Sequence, residues 1–314
     1  MQGHGNVHAA SALCPFLEIT TLMIRTKNPL IPYLFVAPLV VLLLFIFGYP
    51  LVQIFGFSFR RIRGIDGPWV GLENYQLILN QPLFRESVQH NLQLLIAVPI
   101  IIILSIVVAV ILYDRVPGWR IYRTIVFIPY ILAVPIVAVV LKKFFQFDGP
   151  FNESLRVLGL DLFALDWLGS PNFALWTIMS VVIWREVGFG IVLMLARLLS
   201  LDEEMLEAAQ LDGATWWQRL WYIILPQMAG VIEFYFVVSF ITMIAAVFSY
   251  IFMISKGGPG TSTMVLEMYI FNFLTRSSLP GVASAVSVML FLVTMVLILL
   301  LFWLRRGEHE QELA

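Results

Sequence analysis

The sequence predicts an all-α, polytopic membrane protein with six transmembrane helices. Composition is the first reason: of 314 residues, 60% are hydrophobic and only 12% charged, with a mean hydropathy of +0.91. A soluble domain carries roughly 25% charged residues, so this chain has too few to cover a water-facing surface. The second reason is length. Six stretches each supply about 20 mostly apolar residues, enough to cross roughly 30 Å of hydrocarbon. The third is pattern. Those stretches are continuous rather than alternating, and lipid offers no partners for backbone amides, so helices are expected and not strands of a barrel.

The spans are expected near 31–55, 92–112, 121–141, 173–199, 230–254 and 282–304. Residues 1–29 differ in character and read as a disordered N-terminal tail. They lack a basic start leading into an apolar run, so they make a poor signal peptide. Arg25 and Lys27 follow Met23 and precede the first span, so translation is expected to begin at Met23 rather than Met1. The permeating body is expected over 30–306, with a short C-terminal tail at 307–314. Segments 53–89 and 144–171 read as long polar loops, 114–120 as a tight basic turn, and 256–280 as a loop opened by Gly257-Gly258-Pro259. Pro99, Pro129 and Pro135 lie within spans, where they permit kinks or reflect lipid-facing irregularity.

Several classes of function are disfavoured. The net charge is −1, which gives no basic footprint for nucleic acid. A single cysteine, Cys14, excludes a disulfide framework and a cysteine-rich metal site. His4, His8, His90 and His309 do not form a ligand set inside an apolar segment, so neither metal nor cofactor is expected. Gly257-Gly258-Pro259 lacks the Gly-Lys-Ser/Thr that a phosphate loop needs.

The segment 200–226, SLDEEMLEAAQLDGATWWQRLWYIILP, reads as helix–turn–helix at the membrane surface. Ser200 with Glu203 has capping-box spacing. Gly213 suits a left-handed helix end. Thr215 with Gln218 opens a second helix, on which Trp216, Leu220, Ile223 and Ile224 make one apolar stripe. Pro226 marks the expected next break. One side is small and acidic: Glu207, Ala208, Ala209, Asp212, Gly213 and Ala214. Small residues let another backbone approach, and a carboxylate offers a charge-assisted bond to a basic partner.

Glu207-Ala208-Ala209, Gly213, Ile223, Leu225 and Pro226, in this order, resemble the EAA loop of binding-protein-dependent ABC importer permeases. Other segments are similar to the carbohydrate-importer group of that family, of the MalF/UgpA kind, over about 31–306. They are Gly71-Leu72-Glu73-Asn74-Tyr75; Arg123-Thr124 with Ile128-Pro129-Tyr130; Asn152 with Leu158-Gly159-Leu160; Trp184 two positions before Glu186; and Gly257-Gly258-Pro259 with Ser262-Thr263. Ser249 after Phe248, and Arg185-Glu186-Val187, depart from the group's usual pattern. The resemblance implies the type I ABC importer permease fold and a non-catalytic membrane subunit. Its implied partners are an ABC ATPase dimer held at the EAA loop, a second permease in a heterodimer, and an extracytoplasmic solute-binding protein. It also implies cytoplasmic N- and C-termini. Lysine and arginine counts in the loops lean against that orientation, with Arg60, Arg61, Arg63, Arg85, Lys142, Lys143, Arg156, Lys256 and Arg276 on the other side.

Charges inside spans are costly and usually face the protein interior or a watery path. Arg185 and Glu186 in the fourth span and Glu233 in the fifth are therefore candidates for a solute path, with an internal ion pair that orients helices, or a place near the interface for Glu233, as the alternative. Trp184 and the cluster Phe248, Ser249 and Tyr250 are further candidates, since sugar rings present apolar faces and hydroxyl edges. The solute class stays open between neutral oligosaccharide, monosaccharide and glycerol phosphate ester. An ion-driven secondary transporter would be expected to show two related halves, and a membrane-embedded enzyme a cluster of catalytic side chains.

Overall fold

A computed structural model describes residues 31–62, 66–114 and 117–312; side chains are described for all of these but 31, 32, 203 and 301–312. The expectations for Met23, Cys14, His4, His8 and the 1–29 tail lie outside the described residues. Among the described residues the protein is helical, with one isolated antiparallel bridge between Arg60 and Trp69.

Five helices among the described residues are long and apolar enough to cross a membrane: Tyr33–Ser58, Pro82–Tyr113, Ala174–Leu198, Trp216–Ala246 and Pro280–Leu300. The expected third span is a bent pair instead. Trp119–Ile131 and Val134–Phe144 meet at 100°, and counting them as one span makes six. The bend corrects the expectation of one straight helix over 121–141. Pro135 cannot donate to the Ile131 carbonyl, and its ring would crowd that oxygen. Leu132 and Ala133 turn extended, and the second arm starts afresh with Pro135 in its first turn, where a missing N–H costs nothing.

The helices in chain order are α1 Ile31–Leu43, α2 Tyr49–Ser58, α3 Glu73–Leu79, α4 Pro82–Leu94, α5 Ala97–Tyr113, α6 Trp119–Ile131, α7 Val134–Phe144 and α8 Pro150–Val157. They continue as α9 Ala174–Leu198, α10 Glu203–Leu211, α11 Trp216–Arg219, α12 Leu225–Ile241, α13 Phe248–Ile254, α14 Leu266–Thr275 and α15 Pro280–Glu312. The chain divides into two compact units, 1–53 and 54–314. In the first, α1 carries Pro38 and passes through a π-helical turn at Leu44–Gly48, just before Pro50. Its large apolar side chains from Tyr33 to Phe47 are exposed, as suits a lipid-facing or partner-facing span.

In the second unit α9 is the hub, packing against α5, α6, α12 and α13. Glycine allows the closest approaches, as small residues do between membrane helices. A Cβ at Gly188 would stand 2.6 Å from the Val126 carbonyl of α6, and one at Gly190 would stand 2.2 Å from Ser105 Oγ of α5 and 2.3 Å from Tyr235 Cε1 of α12. The core built around this crossing runs from Leu94 to Met268. A second cluster joins α3, α4, α14 and α15 through Ile78, Phe84, Leu266, Tyr269, Val282 and Val286.

The fifth span also differs from its expected limits of 230–254. Helix is continuous over Trp216–Ala246, and α13 follows as a separate short helix. Pro226 was expected to break the chain here and does not. A π-turn at Leu220–Ile224 precedes it, in which Leu225 N–H reaches back to the Leu220 carbonyl. The wider turn takes up the proline without ending the helix. The same arrangement precedes Pro50.

Candidate functional site

The surface element at 200–226 is built by local rules. α9 ends at Leu198, and Ser200 Oγ donates back to the Arg197 carbonyl at 2.7 Å. Ser200 is therefore not the cap of α10, as its spacing from Glu203 suggested. Asp202 takes that position, its carboxylate accepting from Glu204 N–H at 3.0 Å. A carboxylate two residues nearer the helix start also suits the positive end of the helix dipole. Leu201 and Leu206 anchor the element in the core.

The turn is closed by a Schellman-type bond. Ala214 N–H donates to the Ala209 carbonyl at 2.9 Å, and Gly213 sits at φ +82°, the left-handed conformation that glycine takes without a Cβ penalty. Thr215 and Gln218 form the expected capping box, with Thr215 N–H 2.8 Å from Gln218 Oε1. Leu220 and Ile224 bury their side chains in the core, Ile223 and Leu225 are partly buried, and Trp216 Nε1 donates to Asp114 at the end of α5, 3.1 Å away.

What remains outside is small and acidic. Glu207, Ala208, Asp212 and Gly213 are exposed, Ala209 and Ala214 are half-buried, and Pro226 is exposed. Nothing lies within 4 Å of the place a Cβ would occupy on Gly213. Among the described residues neither Glu207 nor Asp212 makes an ion pair within the chain. Leu211, 89% exposed, stands beside them. An apolar side chain and two free carboxylates around an uncluttered turn make a surface fit for another protein.

Sequence reasoning missed Arg197. Its Nε donates to the Gln227 carbonyl at 3.0 Å and its Nη1 to Ser200 at 3.1 Å, so it ties the end of α9 to the start of α12. The available signal was a lone cation in the last turn of an apolar helix.

Inside the membrane the structure draws together three of the path candidates. Arg185 and Glu186 form an ion pair at 2.7 Å, and buried Tyr250 faces both from α13. The guanidinium also donates to the Tyr130 carbonyl at 3.1 Å and lies 4.9 Å from the centre of the Tyr130 ring. Tyr235 OH donates to the Glu186 carbonyl at 2.6 Å, beside Ser105. Tyr235 and Ser105 were not singled out from the sequence, and Tyr130 entered only as part of the segment Ile128-Pro129-Tyr130, not as a path candidate. The other candidates lie apart. Trp184 and Ser249 are exposed, Phe248 packs on Phe252 and Phe271, and Glu233 is partly buried on α12.

At the opposite end of α9 from the surface element, an open cleft of about 340 Å³ is lined by Lys142, Gln146, Phe147, Asp166, Gly258 and Pro259. Among the described residues no group of histidine, cysteine and carboxylate side chains could hold a metal.

Comparison with known proteins agrees with this architecture. A family described as binding-protein-dependent transport system inner membrane component matches residues 83–307. A probable ABC transporter permease of Pyrococcus horikoshii is 31% identical over 292 residues, covering 90% of this chain and 99% of its own. The lactose transport system permease LacF of Rhizobium radiobacter is 30% identical over 272 residues, covering 85% and 90%. A bacterial ABC transporter involved in import of the acidic polysaccharide alginate has a chain that superposes with a TM-score of 0.78 at 24% identity, over 88% of this chain and 94% of that one. The chain therefore belongs to the binding-protein-dependent transport system inner membrane components, the multi-pass permease subunits of ABC importers.

Proposed function

We propose that this permease subunit carries a carbohydrate, or a related polyol or glycerol phosphate solute, across the cytoplasmic membrane, and that a separate ABC ATPase dimer drives it by gripping residues 200–226. Glu207, Ala208, Ala209, Asp212, Gly213 and Ala214 form the gripped face, and Ile223, Leu225 and Pro226 join it to the membrane. The termini and this loop are cytoplasmic. A second permease completes the pathway as a heterodimer, and an extracytoplasmic binding protein delivers the solute to the other face. Arg185, Glu186, Glu233, Trp184, Phe248, Ser249 and Tyr250 remain the candidate path residues. The likeness to a lactose permease supports the solute class.

One observation carries the reading. The exposed small and acidic face lies on α10 and its turn, directly before a helix that runs without interruption from Trp216 to Ala246. Thirty-one residues span roughly 46 Å, so a push on the turn moves one stiff rod through the membrane. The buried Leu201, Leu206, Leu220 and Ile224 carry the same push into the core around α9.

The test is capture. Ala208→Cys in a Cys14→Ser background should crosslink to the ATPase subunit in the assembled transporter, with capture changing on ATP addition. Solute should stimulate ATP hydrolysis in reconstituted vesicles. Transport that follows an ion gradient, with no ATPase captured, would sink the reading.

A further inference from the structure

The bend between α6 and α7 leaves backbone groups to be satisfied inside a membrane span. Helical bonds run from residue i to i−4. A straight span would pair the Tyr130 carbonyl with Val134 N–H and the Leu132 carbonyl with Ile136 N–H. In the bent span Ile136 N–H goes to the Ala133 carbonyl at 3.0 Å. The two displaced carbonyls lie at the C-terminal end of α6, where acceptors lack helical partners and the helix dipole is negative.

Arg185 takes both. Its Nη2 lies 3.1 Å from the Tyr130 oxygen and 3.3 Å from the Leu132 oxygen. Its guanidinium covers the Tyr130 ring, and its Nη1 is held by Glu186 at 2.7 Å. The close passage of Gly188 against Val126 sets α9 near enough to α6 for this reach. Lipid supplies no donors. Without Arg185 the two carbonyls recover helical partners if the span straightens onto Val134 and Ile136, a change that Pro135 would then resist.

We infer that Arg185 is a positioning residue of the transport cycle. It clamps the third span in its bent form by occupying the two carbonyls that a straight span would return to its own backbone, while Glu186 holds the guanidinium in place. The third span is then a two-state element, biased from α9, the helix that leads directly into the segment 200–226. The job differs from contact with the solute: it acts on the shape of the pathway wall.

The experiment places spin labels on exposed positions of the two arms, Tyr122→Cys and Val140→Cys, in the Cys14→Ser background of the complete transporter without nucleotide. From 1.5 Å per residue and the 100° bend, the backbone separation is roughly 17 Å bent and roughly 27 Å straight. Pulsed electron resonance should give the short distance for the parent. Arg185→Gln should add a population about 10 Å longer. Turnover at saturating solute should fall several-fold while KM stays within about twofold, as expected when a cycle step rather than binding is altered. An unchanged short distance in Arg185→Gln overturns the inference, whatever happens to transport. Should Arg185→Gln fail to insert, Pro135→Ala decides, because it keeps the clamp and removes the proline. A bend that persists supports Arg185 as its keeper, and a bend that straightens overturns it.

Discussion

Replacing Gly190 by alanine should disrupt the three-helix crossing at the centre of the protein. The added Cβ would meet Ser105 Oγ at 2.2 Å, Tyr235 Cε1 at 2.3 Å and Ser105 Cβ at 2.8 Å. Carbon atoms in good contact sit about 3.5–4.0 Å apart, so α5 or α12 must retreat from α9 by about 1 Å. Neither can yield a flexible tip, since Ser105 is 0% and Tyr235 1% exposed. The retreat also pulls on the Tyr235 bond to the Glu186 carbonyl and the long Ser105 bond to the Val187 carbonyl of α9. Overpacking costs about 1–3 kcal/mol, and a weakened buried hydrogen bond adds about 1 kcal/mol. Alanine's better helix propensity returns about 0.5–1 kcal/mol. The net loss is about 2 kcal/mol. Gly230 is the matched control, because it is also in a span but has nothing within 4 Å of its Cβ position; Gly230→Ala should be neutral or slightly stabilising. Adding Ser105→Gly to Gly190→Ala should recover about half the loss, with the Tyr235 contact remaining. The assay is reversible unfolding of the purified protein in mixed micelles titrated with sodium dodecyl sulfate. If Gly190→Ala and Gly230→Ala agreed to within about 0.5 kcal/mol, a normal surface-mutation effect, the close crossing of these helices would be refuted.

Asp202→Ala should cost the start of α10 about 1 kcal/mol and speed amide exchange at Glu204 and Met205, whereas Ser200→Ala should leave those amides unchanged because Ser200 bonds back to Arg197. Burial pushes the Glu267 carboxyl up to about 7 from 4.5, against a weak bond from Asn91. The folded protein then holds a proton that the unfolded chain releases, so this stabilisation is full below about pH 4.5 and is lost as pH rises through about 7, by about 3 kcal/mol in all. Glu267→Gln should flatten that dependence and be the more stable form at about pH 8 in an unfolding titration. Asn152→Ala should free the segment between α7 and α9. Asn152 is fully buried, donates to the Phe147 and Leu165 carbonyls and accepts from Trp167 Nε1. Losing these bonds should cost about 2–4 kcal/mol, seen as faster proteolysis within 147–170.

Local signals were legible where one rule acts alone. The αL glycine at Gly213 and the Thr215–Gln218 capping box need only neighbours in the chain, and both stand as read. Where two local solutions competed, spacing could not choose. Ser200 and Asp202 both suit an N-cap, and the choice fell to Asp202 because Ser200 was drawn back by the α9 terminus. Pro135 and Pro226 are alike in sequence terms. One lies at a 100° break and the other in an unbroken helix, because a π-turn absorbs Pro226 while Arg185, from another helix, takes the carbonyls freed beside Pro135.

Composition and run length by themselves determined that this chain is helical and crosses a membrane, because the cost of unpaired amides in lipid leaves no other continuous apolar structure. The order of residues from Glu207 to Pro226 determined a capped surface turn. Only the tertiary structure decided which charges meet. Arg185, Glu186, Tyr250 and Tyr130 lie on three helices, and Arg197 finds its carbonyl 30 residues away. Such partners are set by how closely helices approach at Gly188 and Gly190, and distance between helices is not written in the spacing along any one of them.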